Sequence, residues 1–259
     1  MPATFDPDRF QELLDTRTLG HPTVYLASTA STQDVARRRA QGGAAEGLLV
    51  VADQQTAGRG RQGRRWVSPP GTNLYFTLVL RPRASELATI AMACPLAVVE
   101  GIEAITALKA GIKWPNDVLV NGKKIGGILV DSELEGERVH HALAGIGVNV
   151  NFDPRSQPEI AEIATSVMAA SGQKASREEL LAAILGRLEA YYLSSTANDV
   201  FDAWSQRLVH MGDDVTVHSS SGELVSGRAE SVNADGSLVL LKRDGERVTL
   251  PSGQMAAAS

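Results

Sequence analysis

Nine consecutive residues carry most of this chain's capacity for charge chemistry: Gly58-Arg59-Gly60-Arg61-Gln62-Gly63-Arg64-Arg65-Trp66. Four arginines, three glycines and one tryptophan cannot build a core, because glycine raises the entropic cost of ordering and arginine resists burial. The stretch reads as a mobile cationic loop that orders when it meets anions. Its guanidinium groups suit bidentate contact with phosphate or carboxylate, and the Trp66 face beside them can stack on a ring or cover it. The letters Gly58-x-Gly60-x-x-Gly63 match a dinucleotide fingerprint, yet no helix is expected after them and no acidic residue stands about twenty positions on to hold a ribose. Gly145-Ile146-Gly147 lacks a third glycine, since Val150 stands in its place. No Walker A sequence is present, so a phosphate-bearing ligand needs another cradle. A nucleic-acid arm is the competing use of Arg59-Gly60-Arg61, and a solvated surface loop is the plain structural one.

Bulk properties narrow these options. A net charge of −5 over 259 residues argues against broad nucleic-acid binding, which draws on a basic surface. With 43% hydrophobic and 21% charged residues, the chain has the composition of a globular protein large enough for one large domain or a medium domain plus a small one. The single cysteine, Cys94, excludes an internal disulfide framework and fits a reducing compartment. Met1 to Phe10 lacks a cationic segment followed by an apolar run, so no secretory signal is read there. The apolar stretch from Leu87 to Ala107 contains Pro95, Glu100 and Glu103, which favours a buried helix over a membrane span. A cytoplasmic protein is expected, without membrane contact.

The elements that must carry the loop follow from local pattern. Asp6-Pro7 caps a short helix with Phe10, Leu13 and Leu14 on one face. Val24 to Ala27 predicts a strand. Ser31-Thr32-Gln33-Asp34 fits a capping box that opens a helix to about Gln41. Leu48 to Ala52 is a strand feeding the arginine loop, and Asn73 to Leu80 is another. Ser85 is placed as the cap of the long apolar helix. Ile112 to Val120 and Lys124 to Val130 read as paired strands around Asn121-Gly122, a strong hairpin signal. Alternation then points Lys123 and Lys124 to opposite faces. Val139 to Val150 completes this set. Ser176-x-x-Glu179 opens an amphipathic helix, and Asp199 to Leu208 forms a further one. From Val209 onward four short strands alternate with Ser221-Gly222, Asp235-Gly236 and Asp244-Gly245, the texture of a small antiparallel barrel or sandwich. The division expected is residues 1–208 as a ligand-binding catalytic domain and 209–259 as a small β domain. The class is α+β: a mixed, largely antiparallel sheet with helices packed on it.

Several segments together resemble one family. Gln55 to Trp66, Lys113-Trp114-Pro115-Asn116-Asp117, Lys123 to Leu129, Gly145 to Asn149 and Ala164-Thr165-Ser166 are similar, in this order, to the biotin protein ligases. The resemblance covers roughly Val24 to Leu250. It implies the family's class II synthetase-like catalytic fold with an SH3-like C-terminal barrel. It also implies synthesis of biotinyl-5′-AMP from biotin and ATP, with Mg²⁺ accompanying ATP, and then transfer of biotin to one lysine of a biotin carboxyl carrier protein or domain. Only about twenty residues precede the resemblance, so neither a DNA-binding domain nor operator binding is expected. A lipoate or octanoate ligase of related fold is the alternative enzyme. Monomer and homodimer both stay open.

Residue by residue, the resemblance assigns Arg59, Gly60 and Arg61 to the biotin and adenylate site, with Arg61 foremost. It gives Lys124 to the ligand's carboxyl or phosphoryl region. Ser31, Thr32, Gln33 and Gln55 match the positions that serve the ureido ring, whose two N–H donors and one carbonyl suit hydroxyls and amides. Many relatives have asparagine where Gln33 stands. Arg64, Trp66, Asn116 and Asn149 are assigned to ATP or adenylate, and Gly127 to close backbone approach of biotin. Asp117 is placed as the carboxylate that helps the acceptor lysine lose its proton, with ion pairing to Lys113 as its plain alternative. Lys113 itself joins the catalytic set. No protein-held metal is expected.

Overall fold

The computed structural model describes residues 4–136, 138–220 and 222–256; Ser221 of the expected Ser221-Gly222 turn lies outside them. Its larger sheet has seven strands, β1 (Thr23–Leu26), β2 (Leu49–Ala52), β3 (Leu74–Leu80), β4 (Ala110–Lys113), β5 (Asp117–Val120), β6 (Lys123–Glu135) and β7 (Arg138–Val148). They lie in the order β1-β2-β3-β7-β6-β5-β4, with β1 and β2 parallel and the other neighbours antiparallel. All seven residues of β3 are buried, so this central strand is covered on both faces. Leu74, Phe76, Leu78 and Leu80 join the main core with helices α3 (Leu87–Ile105) and α5 (Arg177–Ser194), while Val79 packs with Ala36 and Ala40 of α2 (Thr32–Gln41). Period-2 alternation therefore gives the sheet an apolar face under α3 and a second face toward α2, on which Tyr75, Thr77 and Val79 stand.

Helix α1 (Pro7–Leu13) starts as expected, with Asp6 accepting from the amides of Asp8 and Arg9 and Pro7 in the first turn. The α2 cap differs: Ser31 occupies the N-cap but its side chain makes no capping bond. Ser85 is not a cap either, since a 3₁₀ turn over Ala84–Glu86 precedes α3 and Glu86 holds the N-cap position. The helix runs on through Pro95. Among the described residues, the segment Ala84–Ile105 is long and apolar enough to cross a membrane, with mean hydropathy 1.6; 61% of that window is buried against the sheet and α5, as a core helix requires.

The expected strand from Ile112 to Val120 is two strands. Trp114-Pro115-Asn116 breaks it into β4 and β5, because proline removes a ladder donor. The hairpin joining β5 to β6 turns where predicted, with Asn121 at φ 51° and Gly122 at φ 75°. The second half holds α4 (Val167–Ser171), α5 capped by the Ser176 hydroxyl, and α6 (Ala197–Ser205), whose capping box pairs Thr196 with Asp199. Residues 207–209 then pair with Ile112 at the edge of the large sheet. The terminal sheet has five strands where four were expected: β8 (Asp214–Ser219), β9 (Leu224–Val232), β10 (Leu238–Leu241), β11 (Arg247–Leu250) and β12 (Gly253–Met255), ordered β11-β10-β9-β8-β12.

One buried ion pair fastens the ends of this arrangement. Asp53, just past β2, accepts from Arg177 Nη1 at 2.7 Å, from the Tyr25 hydroxyl at 2.8 Å and from the Phe5 amide at 3.2 Å. Both charged side chains are almost fully buried, 5% exposed for Arg177 and 7% for Asp53. Arg177→Met keeps the apolar volume but strands the carboxylate, so it should lower unfolding stability by about 3–5 kcal/mol. Urea unfolding of the variant tests this, and a loss under about 1 kcal/mol would place the weight elsewhere.

Candidate active site

Backbone without side chains forms the floor of the site. Gly127 of β6 and Gly147 of β7 lie opposite one another, and Gly145 lies opposite both Leu129 of β6 and Thr77 of β3. Alternation puts Gly127, Gly145 and Gly147 on the α2 face, where they leave a trough two strands wide. Two side chains occupy it. A Cβ on Gly147 would come within 2.6 Å of the Trp66 ring, and one on Gly145 within 2.3 Å of Gln33 Oε1. At Gly127 a Cβ would meet Trp66 at 3.0 Å and the Lys124 stem at 3.1 Å. The Gln33 and Trp66 positions are thus separated by one i,i+2 step of β7, roughly 7 Å.

The end nearer α2 is polar and buried. Thr32 donates from its amide to Gln55 Oε1 at 2.9 Å, and its hydroxyl lies 3.1 Å from the same oxygen. Gln55 Nε2 donates to Ser68 Oγ at 3.2 Å. The Thr77 hydroxyl, fully buried, is 2.9 Å from Thr32 Oγ1 and 3.1 Å from Gln33 Oε1. Gln33 Nε2 donates to Leu129 O at 3.3 Å and to Asp131 Oδ2 at 3.2 Å, and Asp131 also receives Arg37 at 3.0 Å. Ser31 is buried beside this group. The four predicted polar residues therefore gather on one small region, and Thr77, Ser68 and Asp131, which sequence reasoning missed, complete it. Thr77 had one signal available: a lone polar residue inside the apolar run Leu74 to Leu80.

The other end is charged. Lys124 Nζ pairs with Asp117 Oδ1 at 2.6 Å and lies 5.4 Å from the Trp66 ring centroid. Asp117 thus takes Lys124 as its partner, although Lys113 stands opposite it in the β4–β5 register. Lys113 Nζ reaches the Ala256 carbonyl at 3.4 Å. Burial pulls the Lys113 pKa down, Asp117 opposes the shift and Lys124 adds to it. Arg61 Nη1 donates to Asn116 Oδ1 at 3.0 Å and to the Gly253 carbonyl at 3.4 Å. Burial likewise lowers the Arg61 pKa, again opposed by Asp117 and helped by Arg64. Asn116 Nδ2 is anchored on the Ile128 carbonyl. Together with a bond from Trp114 Nε1 to Gly236 O at 2.9 Å, these contacts dock the terminal sheet directly beside the cations.

The arginine loop folds back on itself. Gly60 donates to Arg64 O at 2.7 Å and Trp66 to Gly58 O at 2.9 Å, closing a tight turn with Gln62 at φ 55°. Its arginines diverge. Arg61 enters the site, Arg59 turns away to Asp34 at 2.9 Å, and Arg64 rests on Gln62 at 3.2 Å. The Trp66 indole N–H is buried with no acceptor among the described residues. The Asn149 side chain bonds to Asn73 and Thr165. It donates to the Thr165 carbonyl at 3.0 Å, and Thr165 in turn bonds the Lys124 carbonyl, so Asn149 braces the start of β6. The described residues contain no group of three or more metal-ligating side chains. Chemically, the arrangement offers an enclosed polar end and, one short step along, two or three cations around a single carboxylate.

The chain is similar to known proteins. The family model described as biotin/lipoate A/B protein ligase matches residues 25–149. The bifunctional ligase/repressor BirA of Bacillus spizizenii is 37% identical over 90% of this chain and 73% of its own length. The biotin–[acetyl-CoA-carboxylase] ligase of Paracoccus denitrificans is 34% identical over 89% of this chain and 98% of its own. Among solved structures, the Aquifex aeolicus biotin protein ligase in complex with biotin and ATP superposes with a TM-score of 0.78 at 28% identity, covering 91% of this chain and 99% of that one.

The glycine floor makes a direct prediction. Gly147→Ala should force the Trp66 ring off β7, seen as a red shift in tryptophan emission and a stability loss of about 1–3 kcal/mol. Gly186→Ala, whose new Cβ meets nothing within 4 Å, is the control and should leave the emission unchanged. Identical spectra for Gly147→Ala and the parent protein would mean the ring does not rest on this strand.

Proposed function

We propose, for a chain that belongs to the biotin/lipoate A/B protein ligase family and is an ATP-dependent biotin–protein ligase, the following division of labour among its residues. The observation that carries it is the Lys124–Asp117 pair facing Arg61, one strand step from a buried polar pocket. Ser31, Thr32, Gln33 and Gln55 serve the ureido ring. The acyl chain runs over Gly127 toward the cations, so that the carboxylate ends at Lys124 and Arg61.

Activation requires that carboxylate to attack the α-phosphate of ATP, forming a mixed anhydride and releasing pyrophosphate. Two anions approach only where cations offset their repulsion, and Arg61 and Lys124 supply that charge at fixed positions. Mg²⁺ arrives as part of the ATP substrate. Asn116 holds the Arg61 guanidinium in place, and Lys113 adds a half-buried cation on the neighbouring strand. Arg59, Gly60, Arg64 and Trp66 close over the adenylate and keep water from the anhydride. Asn149 supports the nucleotide side through Thr165 and the first residues of β6.

In the second half-reaction a lysine amine of the acceptor attacks the acyl carbonyl and AMP leaves. The incoming anion draws Lys124 from Asp117, which frees this carboxylate to take the proton that the acceptor ammonium must lose. The acceptor proposed is a biotin carboxyl carrier protein or domain. Residues 1–208 act as the catalytic unit, and 209–259 as a β unit that holds the cations through Gly253 and Ala256. Consumption of ATP and the buried free thiol of Cys94 support a cytoplasmic setting.

Incubation with labelled ATP and either biotin or lipoate tests the substrate. Acyl-adenylate and pyrophosphate should form with biotin; formation with lipoate alone would overturn the reading. Arg61→Ala and Lys124→Ala should each slow adenylate synthesis about 10²–10³-fold with an unchanged melting temperature. Near-normal turnover in either variant removes that residue from the assignment.

A further inference from the structure

Lys124 sits where the regular ladder of the sheet stops supporting it. Strand β7 pairs with β6 only from Gly126 onward, with Gly126 opposite Val148. On the other side the β5–β6 register jumps from Val118–Gly126 to Leu119–Lys124, which leaves Ile125 as the extra residue of a bulge. Toward β7, the Lys124 backbone is held by a separate segment. Its amide donates to Ile163 O at 2.9 Å, and Thr165 N donates to Lys124 O at 2.8 Å. Asn149 ties this bracket to the sheet, with its backbone amide on Ile125 O at 2.8 Å and Nδ2 on Thr165 O at 3.0 Å.

One further side chain orients the bracket. Asn73, fully buried just before β3, accepts the Val150 amide on Oδ1 at 2.9 Å. Its Nδ2 is thereby turned to Asn149 Oδ1, at 3.3 Å. The Asn149 amide is then fixed with its nitrogen toward Thr165 O, because the flipped amide would set two oxygens against each other. The Asn73 carbonyl is itself tied to the interior, accepting from Arg177 Nη1 at 3.3 Å.

We propose that Asn73 is a positioning residue for adenylate formation, which sets the Lys124 backbone, and so the aim of its ammonium, through Asn149 and the 163–165 segment. This rests on the assignment of Lys124 to the reacting carboxyl and phosphoryl groups, and adds a residue that acts only through it. A small displacement is enough to matter, since a group about 1 Å out of place at a reacting centre costs up to about 10²-fold in rate. The contacts of Thr32 and Gln55 run through Ser68 and Thr77 instead. A fault at Asn73 therefore falls on the rate and not on biotin affinity.

ATP–pyrophosphate exchange driven by biotin tests this in a cycle of Asn73→Asp, Lys124→Ala and the double variant. Asn73→Asp keeps the shape and the acceptor for Val150 but loses the donor to Asn149. It should lower kcat about tenfold, with the KM for biotin within about twofold of the parent. In the Lys124→Ala background the same substitution should cost less than about twofold, because the group it positions is gone. An equal tenfold loss in both backgrounds overturns the proposal. So does a parental kcat in folded Asn73→Asp, which would leave Asn73 as a part of the sheet alone. If Asn73→Asp does not fold, Asn73→Ser, which adds no charge to the interior, takes its place under the same criteria. Near-normal exchange in Lys124→Ala removes the Lys124 assignment and this proposal with it. Absence of exchange with biotin in the parent protein would instead overturn the biotin-ligase reading.

Discussion

A single carboxylate, Asp117, keeps the charged end of the site together. Lys124 lies on it at 2.6 Å, Lys113 stands opposite it on the neighbouring strand β4, and the charge of Asp117 acts on Arg61. Cations this close repel at partly buried positions, where the effective dielectric falls well below that of water. The surrounding architecture follows from holding them there. β4, β5 and β6 must run side by side, the Trp114-Pro115-Asn116 corner must bring Asn116 to Arg61, and the terminal sheet must end with its carbonyls against Arg61 and Lys113. This end of the site thus carries a local excess of positive charge that one acid only partly offsets.

The second requirement is room. β6 and β7 are long strands in a sheet otherwise packed with branched side chains, and on the α2 face they give up side chains at Gly127, Gly145 and Gly147. The space does not stand open: Trp66 lies over one pair of strands and Gln33 over the next position. Shape at one end and hydrogen-bond direction at the other are therefore set by side chains arriving from a loop and a helix, onto a floor that the sheet keeps rigid. Loops placed on such a scaffold can change without disturbing the core.

Local rules in the sequence read well where one short-range preference decides. Asp6-Pro7 opens α1 and Asn121-Gly122 turns the β5–β6 hairpin, because proline φ and left-handed turn geometry leave few alternatives. They fail where tertiary contacts compete. Ser31 sits at the start of α2, but the following side chains bend into the Thr77 network and no capping bond forms. Ser85 yields to a 3₁₀ turn closed by Arg83 and Glu86. For the candidate site, the ordered family segments pointed to Arg61, Lys124, Asp117 and Gln55, and the family match at the start of α2 to Thr32. The Asp117 partner depended on register across a bulge between Val118 and Leu119, which no pattern of letters specifies. Thr77, Ser68 and Asp131 were hidden for a related reason: each contributes only through a neighbour that is distant in sequence.

The Asp53–Arg177 bond spans 124 positions of the chain. During synthesis from the N-terminus, β1, β2 and the arginine loop leave the ribosome long before the guanidinium that Asp53 requires. Until α5 emerges, an acid destined for the interior has only Tyr25 and the Phe5 amide to satisfy it, which favours keeping this edge hydrated and unsealed. Helix α5 therefore acts as a clasp on the first strands of the large sheet. A nascent chain stalled before residue 177 would present the arginine loop on a scaffold that still lacks this clasp.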